Sequence, residues 1–239
     1  MESGVDRIMT VPFAILLVIV LFVCVALYGK WQTLRRAEFI RTFRWPRGLP
    51  ERLEKHHPGF ERRDSALVSR GLRQFFLAYL MSGKRPVSMP SQVADDLWHE
   101  FILYTRDYDA FCRRAFGGFL HHTPAVVLSA QRKSSEGLRR VWWYCCKYEN
   151  IDPVTPTRLP LLFALDSKLK IANGFVYQPD CKALHKDGSS GGQCGGDVSD
   201  SSFDGSSDGF GDGCGDSGGD GGGDGGGGDG GGGGCGGGD

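Results

Sequence analysis

Residues 95 to 100, Asp95-Asp96-Leu97-Trp98-His99-Glu100, bring three carboxylates, an indole and an imidazole into one short stretch. On a helix Asp95 lies one turn before His99 on the same side, with Arg106 two turns beyond, and Asp96 also sits one turn from His99. A carboxylate so placed fixes the tautomer of an imidazole and raises its basicity, as a metal ligand or general base requires. Two further imidazoles, His121 and His122, follow Gly117-Gly118, where the chain can fold back. One of them, together with His99 and a carboxylate, would hold a divalent ion such as zinc, leaving Asp95 or Glu100 to handle a proton. Cys112 lies about 140° round a straight helix from His99 and cannot join that ion. The alternative is a core histidine held by Asp95 or a backbone carbonyl, with Trp98 packed inside and the histidine pair ending a loop.

Other chemistry-bearing residues read more simply. His56-His57-Pro58 has only Glu54 and Glu61 close by in sequence and is expected in a solvated loop, while Cys145-Cys146 beside Trp142-Trp143 is expected in a core. The eight cysteines show no CxxC spacing, so they read as mostly reduced thiols. No Walker loop, GxSxG, HExxH or dinucleotide fingerprint occurs in the foldable part, and no aromatic-interleaved basic motif points to nucleic acid.

The elements that must position these residues are helical. Apolar positions at intervals of three and four predict a helix from Asp64 or Ser65 to Met81, and a second from an N-cap at Ser91 to Phe116 with Val93, Leu97, Phe101, Tyr104, Tyr108, Phe111 and Ala115 on one face. Ser134 caps a third through Tyr148, and a short helix covers Leu161 to Lys170 after Pro153, Pro156 and Pro160. No stretch alternates as a strand would, so the body is expected to be an all-α bundle.

Before the body stands an apolar run from about Met9 to Gly29, long enough as a helix to span a bilayer core. Its N-terminal flank holds Arg7 against Glu2 and Asp6, whereas Lys30, Arg35, Arg36, Arg41, Arg44 and Arg47 follow it. The positive-inside rule then places the N-terminus outside and the body in the cytoplasm, at the plasma membrane. The flanks and length do not suit a cleaved signal peptide. The expected organisation is a short extracytoplasmic N-terminus at 1–8, a transmembrane helix at 9–29, a basic juxtamembrane segment at 30–60 whose arginines meet head groups, a helical domain at 61–185 and a disordered Gly/Asp/Ser tail at 186–239. The formal net charge of zero conceals 23 Lys and Arg against 13 Asp and Glu over residues 30–165, and 4 against 13 over residues 166–239.

Met89-Pro90-Ser91, Asp95, Trp98-His99, Thr105, Tyr108, Phe111-Cys112, Gly117, His121-His122 and Pro124 together resemble the glycine-rich domain-containing protein-like family. The resemblance runs from about Arg70 to Pro124, with a weaker echo from Leu159 to Tyr177, and it implies no particular reaction. Plant relatives tend to carry a second histidine two positions after the first, where this chain has Phe101. That departure leaves His99 with His121 or His122 as the imidazole pairing.

The expected function is a membrane-anchored helical module that meets the bilayer surface or a protein partner, with the acidic tail screening the basic body. A metal-dependent enzyme or metal-binding protein built on Asp95, His99, His121 and His122, with Trp98, Tyr108 and Cys112 in the surrounding cluster, is the second expectation. A scaffold role for the tail itself is the third.

Overall fold

A computed structural model describes residues 3–122, 133–179 and 193–194 of the chain. Among these, α1 (Ser3–Thr42), α2 (Leu49–His56), α3 (Arg62–Met81), α4 (Gln92–Leu103), α5 (Thr105–Phe116), α6 (Lys133–Tyr148) and α7 (Leu161–Lys168) account for nearly all regular structure. The architecture is all-α, as the sequence predicts, apart from β1 (Tyr177–Gln178) and β2 (Gln193–Cys194), which pair in parallel with Tyr177 opposite Gln193 and Gln178 opposite Cys194. Apart from Gln193–Cys194, which pair with β1, the expectation of disorder for 186–239 falls outside the described residues, as does that of mostly reduced thiols at Cys181, Cys214 and Cys235.

α1 has two halves of different character. From Ile15 to Tyr28 its large apolar side chains are 47–74% exposed, with no protein surface behind them. This is the one described helix long and apolar enough to cross a membrane, a property shared by single-pass anchors and signal sequences. The helix then continues unbroken to Thr42 and enters the core, where Ala37 and Ile40 are fully buried. Residues 31–44, the first part of the segment expected to be a basic juxtamembrane stretch, thus also supply packing.

α3 is the central helix, touching α1, α2, α4, α6 and α7. Its burial on most sides follows from its residues: Val68, Leu72, Phe75, Phe76 and Leu80 form one broad apolar face, and the buried Gly71, Gln74, Leu77 and Ala78 lie on the others. Gly71 admits α7, because a Cβ there would collide with the Leu165 side chain. An aromatic layer joins α1, α3, α4 and α5, with Phe111 4.7 Å from Phe43 and 5.0 Å from Phe76 between ring centroids. Such contacts add to the area-driven burial that stabilises the bundle.

Two helix N-termini are closed by side chains from distant elements. The buried Asp166 of α7 accepts from Ser91 Oγ at 2.7 Å and from the Gln92 and Val93 N–H groups at 2.8 and 3.2 Å, satisfying donors that α4 cannot satisfy itself. Ser91 in turn accepts from Ala94 N–H, the cap its position predicts. At α7, Glu149 accepts from Leu161 N–H at 2.6 Å and Gln74 accepts from Leu162 N–H at 3.1 Å. α4, which carries the chemistry-bearing residues, is therefore fixed through α7 to α3 and α6.

Two expectations are corrected. Ser91 to Phe116 is not one helix, because Tyr104 turns the chain with φ −81° and ψ 60°, and its hydroxyl donates to the Arg47 carbonyl. His56-His57 is not a solvated loop. Pro50 and Glu51 start α2, Leu49 and Leu53 bury it, and His56 ends it.

Candidate functional site

The outer face of α4 holds the site. Asp95 is the fourth residue of the helix, and the side chain of His99, one turn on, places Nδ1 3.7 Å from Asp95 Oδ2. His122 approaches from the chain after α5, with Nε2 2.9 Å from Asp95 Oδ1. The two imidazole rings lie 4.2 Å apart between centroids. One ligand atom from each of Asp95, His99 and His122 can be chosen so that all three lie within 4.8 Å of one another.

A defined set of contacts delivers His122 to this place. Trp98, facing inward from α4, donates its indole N–H to the Tyr108 hydroxyl at 3.1 Å, and that hydroxyl donates to the Leu120 carbonyl. The carbonyl lies two residues before His122, whose ring rests against Trp98 at 4.5 Å. Burial pushes the Tyr108 phenol well above its ordinary range, so it acts as a neutral hydrogen-bonding group. Cys112 is fully buried beside Tyr108, and burial likewise raises its thiol. Trp98, Tyr108 and Cys112 hold the strap between α5 and His122 and are too deep to be ligands. His121 points elsewhere, exposed and against the ring of Phe119 at 4.9 Å.

A family model described as UCP032817-like matches residues 35–198. The chain belongs to the UCP032817-like family. No curated protein and no solved structure matches the chain. The UCP032817-like match opens in α1 just beyond its apolar stretch and contains α2 to α7 and the whole Asp95, His99, His122 group. The family's description names no activity and does not carry the glycine-rich-domain name.

The other two acids of α4 are engaged, which sequence reasoning missed. His57 Nε2 lies 2.9 Å from Asp96 Oδ2 and stacks on Phe60 at 4.8 Å. Arg52 donates to Glu100 at 2.9 Å, with His56 3.5 Å from the other oxygen. Each partner comes from α2 or its C-terminal turn, so α2 is clamped on α4 by acid–base pairs. The sequence signal was the start-of-helix pattern at Pro50-Glu51 with Lys55 and His56 in the last turn.

These contacts sort the acids chemically. Glu100 shares its carboxylate with a guanidinium, which opposes a second cation. Asp96 meets a single imidazole. Asp95 alone has two imidazoles beside it and no Lys or Arg in ion-pair range among the described residues. Zinc ligands at roughly 2.1 Å from a tetrahedral ion stand roughly 3.4 Å from one another. The 3.7 Å between His99 and Asp95 is close to that and the 2.9 Å between His122 and Asp95 would open slightly, and His99, whose side chain is 53% exposed, is free to adjust. His122 and Asp95, at 12% and 23%, supply the rigid side.

Proposed function

We propose that the chain is a single-pass membrane protein whose cytoplasmic helical domain holds a divalent metal, zinc by ligand type, at Asp95, His99 and His122. The observation that carries this reading is the convergence of one carboxylate and two imidazoles within 4.8 Å. A third imidazole is not needed, because a three-ligand set with an open position is a recurrent zinc arrangement. Asp96 and Glu100 are taken up by His57 and Arg52, which supports metal holding or sensing ahead of a reaction that needs a spare protein base. The basic residues after the apolar stretch support the orientation with the domain in the cytoplasm. The resemblance to the glycine-rich domain-containing protein-like family fits the same placement of Trp98-His99 and His121-His122.

The test is elemental mass spectrometry of the full chain purified in detergent without a histidine tag, beside His99→Ala, His122→Ala and His121→Ala. One zinc per chain, lost in the first two variants and kept in the third, is the expected result. Metal-free, folded wild-type protein after growth and purification with added zinc sinks the metal reading. A second reading, an interaction module whose acidic tail screens the basic body, draws on the split of charge between residues 30–165 and 166–239. Deleting residues 188–239 should then strengthen salt-sensitive binding to anionic vesicles, and unchanged binding across salt would refute it.

A further inference from the structure

α1 passes from its apolar stretch into the core without a break, so the helix sets the height at which the packed residues stand above the membrane. From Tyr28 to Arg36 the rise is about 12 Å. The headgroup layer on each side of a bilayer core is roughly 5–8 Å deep. The backbone of Arg35 and Arg36 thus stands about 3–7 Å beyond the headgroups, a gap that long side chains leaning towards the N-terminal end of the helix span, and Trp31, half exposed with Arg35 over its ring at 4.7 Å, lies within them.

α5 runs antiparallel to this part of α1. Arg36 Nη1 donates to the Phe116 carbonyl at 3.2 Å, Phe39 meets Arg114 at 4.4 Å, and Phe43 meets Phe111 and then Phe101. Later residues of α1 and Phe43 just after it thus contact earlier residues of α5 and α4. The C-terminal end of α5 points back towards the apolar stretch, and Gly117, Gly118 and the exposed Phe119 form the edge of the domain on that side.

That edge gathers positive charge without matching negative charge. Lys84 Nζ donates to the same Phe116 carbonyl at 3.1 Å, so two cations share one neutral acceptor. Lys84 sits there at φ +62°, a left-handed conformation that a residue with a side chain seldom adopts. Gly117 lies beneath the Arg36 guanidinium, and a Cβ in its place would fall 2.8 Å from Nη2. Among the described residues no carboxylate pairs with Arg36, Lys84 or Arg114, whereas neighbouring Arg113 is paired with Asp109 at 2.9 Å. Capping the negative end of the α5 dipole accounts for one cation but not for crowding several.

We propose that Arg36, Lys84 and Arg114, at the membrane-side end of α5, bind the phosphate of an anionic phospholipid headgroup. Guanidinium and ammonium groups both donate to phosphate oxygens, and an anion here relieves the repulsion between Arg36 and Lys84. The height of the cluster and the exposed Phe119 beside it favour a lipid phosphate over a free one. This inference rests on the single-pass anchor proposed above.

The experiment is native mass spectrometry of the full chain released from nanodiscs of equal phosphatidylcholine and phosphatidylglycerol. Wild type is expected to retain phosphatidylglycerol selectively. A cation near an anionic surface is worth about fivefold, so the Arg36→Gln/Lys84→Gln double variant should lose on the order of 25-fold in that preference. Because Arg36 also caps α5, Arg114→Gln serves as a second variant that leaves the Phe116 carbonyl paired, and circular dichroism checks both for helix content. Equal retention of the two lipids by wild type overturns the proposal, as does a preference that survives in folded double and single variants. Displacement of phosphatidylglycerol by inorganic phosphate, with the same sensitivity to the variants, would overturn the lipid assignment in favour of a soluble anion. Alkaline carbonate extraction separates the two readings. Release of the chain sinks anchor and lipid site together, whereas retention without lipid preference sinks the lipid site alone.

Discussion

Asp166→Ala should be the most damaging single change in the domain outside its aromatic layer. Asp166 is 2% exposed, and its carboxylate accepts from Ser91 Oγ, Gln92 N, Val93 N and, at 2.9 Å, Phe175 N. Truncation leaves three backbone donors without an acceptor in a place that water reaches poorly. Each buried orphan donor costs about 1–3 kcal/mol, and loss of an N-cap about 1 kcal/mol. These effects overlap, and Gln92 is half-buried, so the expected loss is about 4 kcal/mol. For a domain of this size that corresponds to roughly 12–16 °C in Tm. Asp166→Asn keeps one acceptor oxygen but turns an amide N–H towards backbone donors, so it should cost about 2–3 kcal/mol, because shape alone does not restore the cap. Thermal unfolding of the full chain in detergent, followed by circular dichroism, measures both. A fall in Tm below about 3 °C for Asp166→Ala would refute the reasoning, since at that size the carboxylate would not be holding the start of α4. Asp95 is only one turn into that helix, so zinc retention should weaken in the same variant.

Three further outcomes follow from single groups. Burial opposes ionisation of Glu149, but the Leu161 N–H, Gln74 and Arg158 outweigh it and hold the carboxyl below its ordinary 4.5. The stability it contributes is therefore present above that value and lost as pH falls through the depressed one, and Glu149→Gln should flatten the acid limb of denaturant midpoints measured against pH. Cys112, Cys145 and Cys146 are buried and their thiols are raised by that burial, Cys146 to about 12, so peptide mapping after native alkylation should find all three unmodified and all three labelled after unfolding. Gly71→Ala should cost about 1–3 kcal/mol by chemical denaturation, because the new methyl group meets Leu165 and separates α3 from α7.

Much of the fold was legible because local pattern and tertiary demand agree. Ser91 reads as an N-cap from its place after Pro90 and caps α4 in the structure, and the apolar spacing that predicts α3 is the spacing that buries it. The break at Tyr104 was not legible, since neither Tyr104 nor Thr105 disfavours a helix strongly. The break goes with a contact 57 residues away, where the Tyr104 hydroxyl reaches the Arg47 carbonyl and Gly48 leaves room for it. α2 was hidden for a related reason. The Gly48 and Pro50 that look like interruptions are its entry, Gly48 at φ +85° turning the chain so that Pro50 begins the helix.

The site shows where sequence reasoning stops. Asp95 and His99 one turn apart are a local fact of helix geometry, so their pairing could be read directly. His121 and His122 could not be told apart, because they are adjacent in the chain and either one satisfies a ligand count. What decides between them is register. The Tyr108 hydroxyl grips the Leu120 carbonyl, which fixes the phase of the strap, and the two adjacent imidazoles leave in different directions. His122 is turned onto Trp98 and Asp95, and His121 out against Phe119. Tyr108→Phe removes that grip while keeping the ring, and it should reduce zinc retention without removing any ligand. Retention equal to wild type in a folded Tyr108→Phe chain would mean that the position of His122 is set by something other than this hydrogen bond.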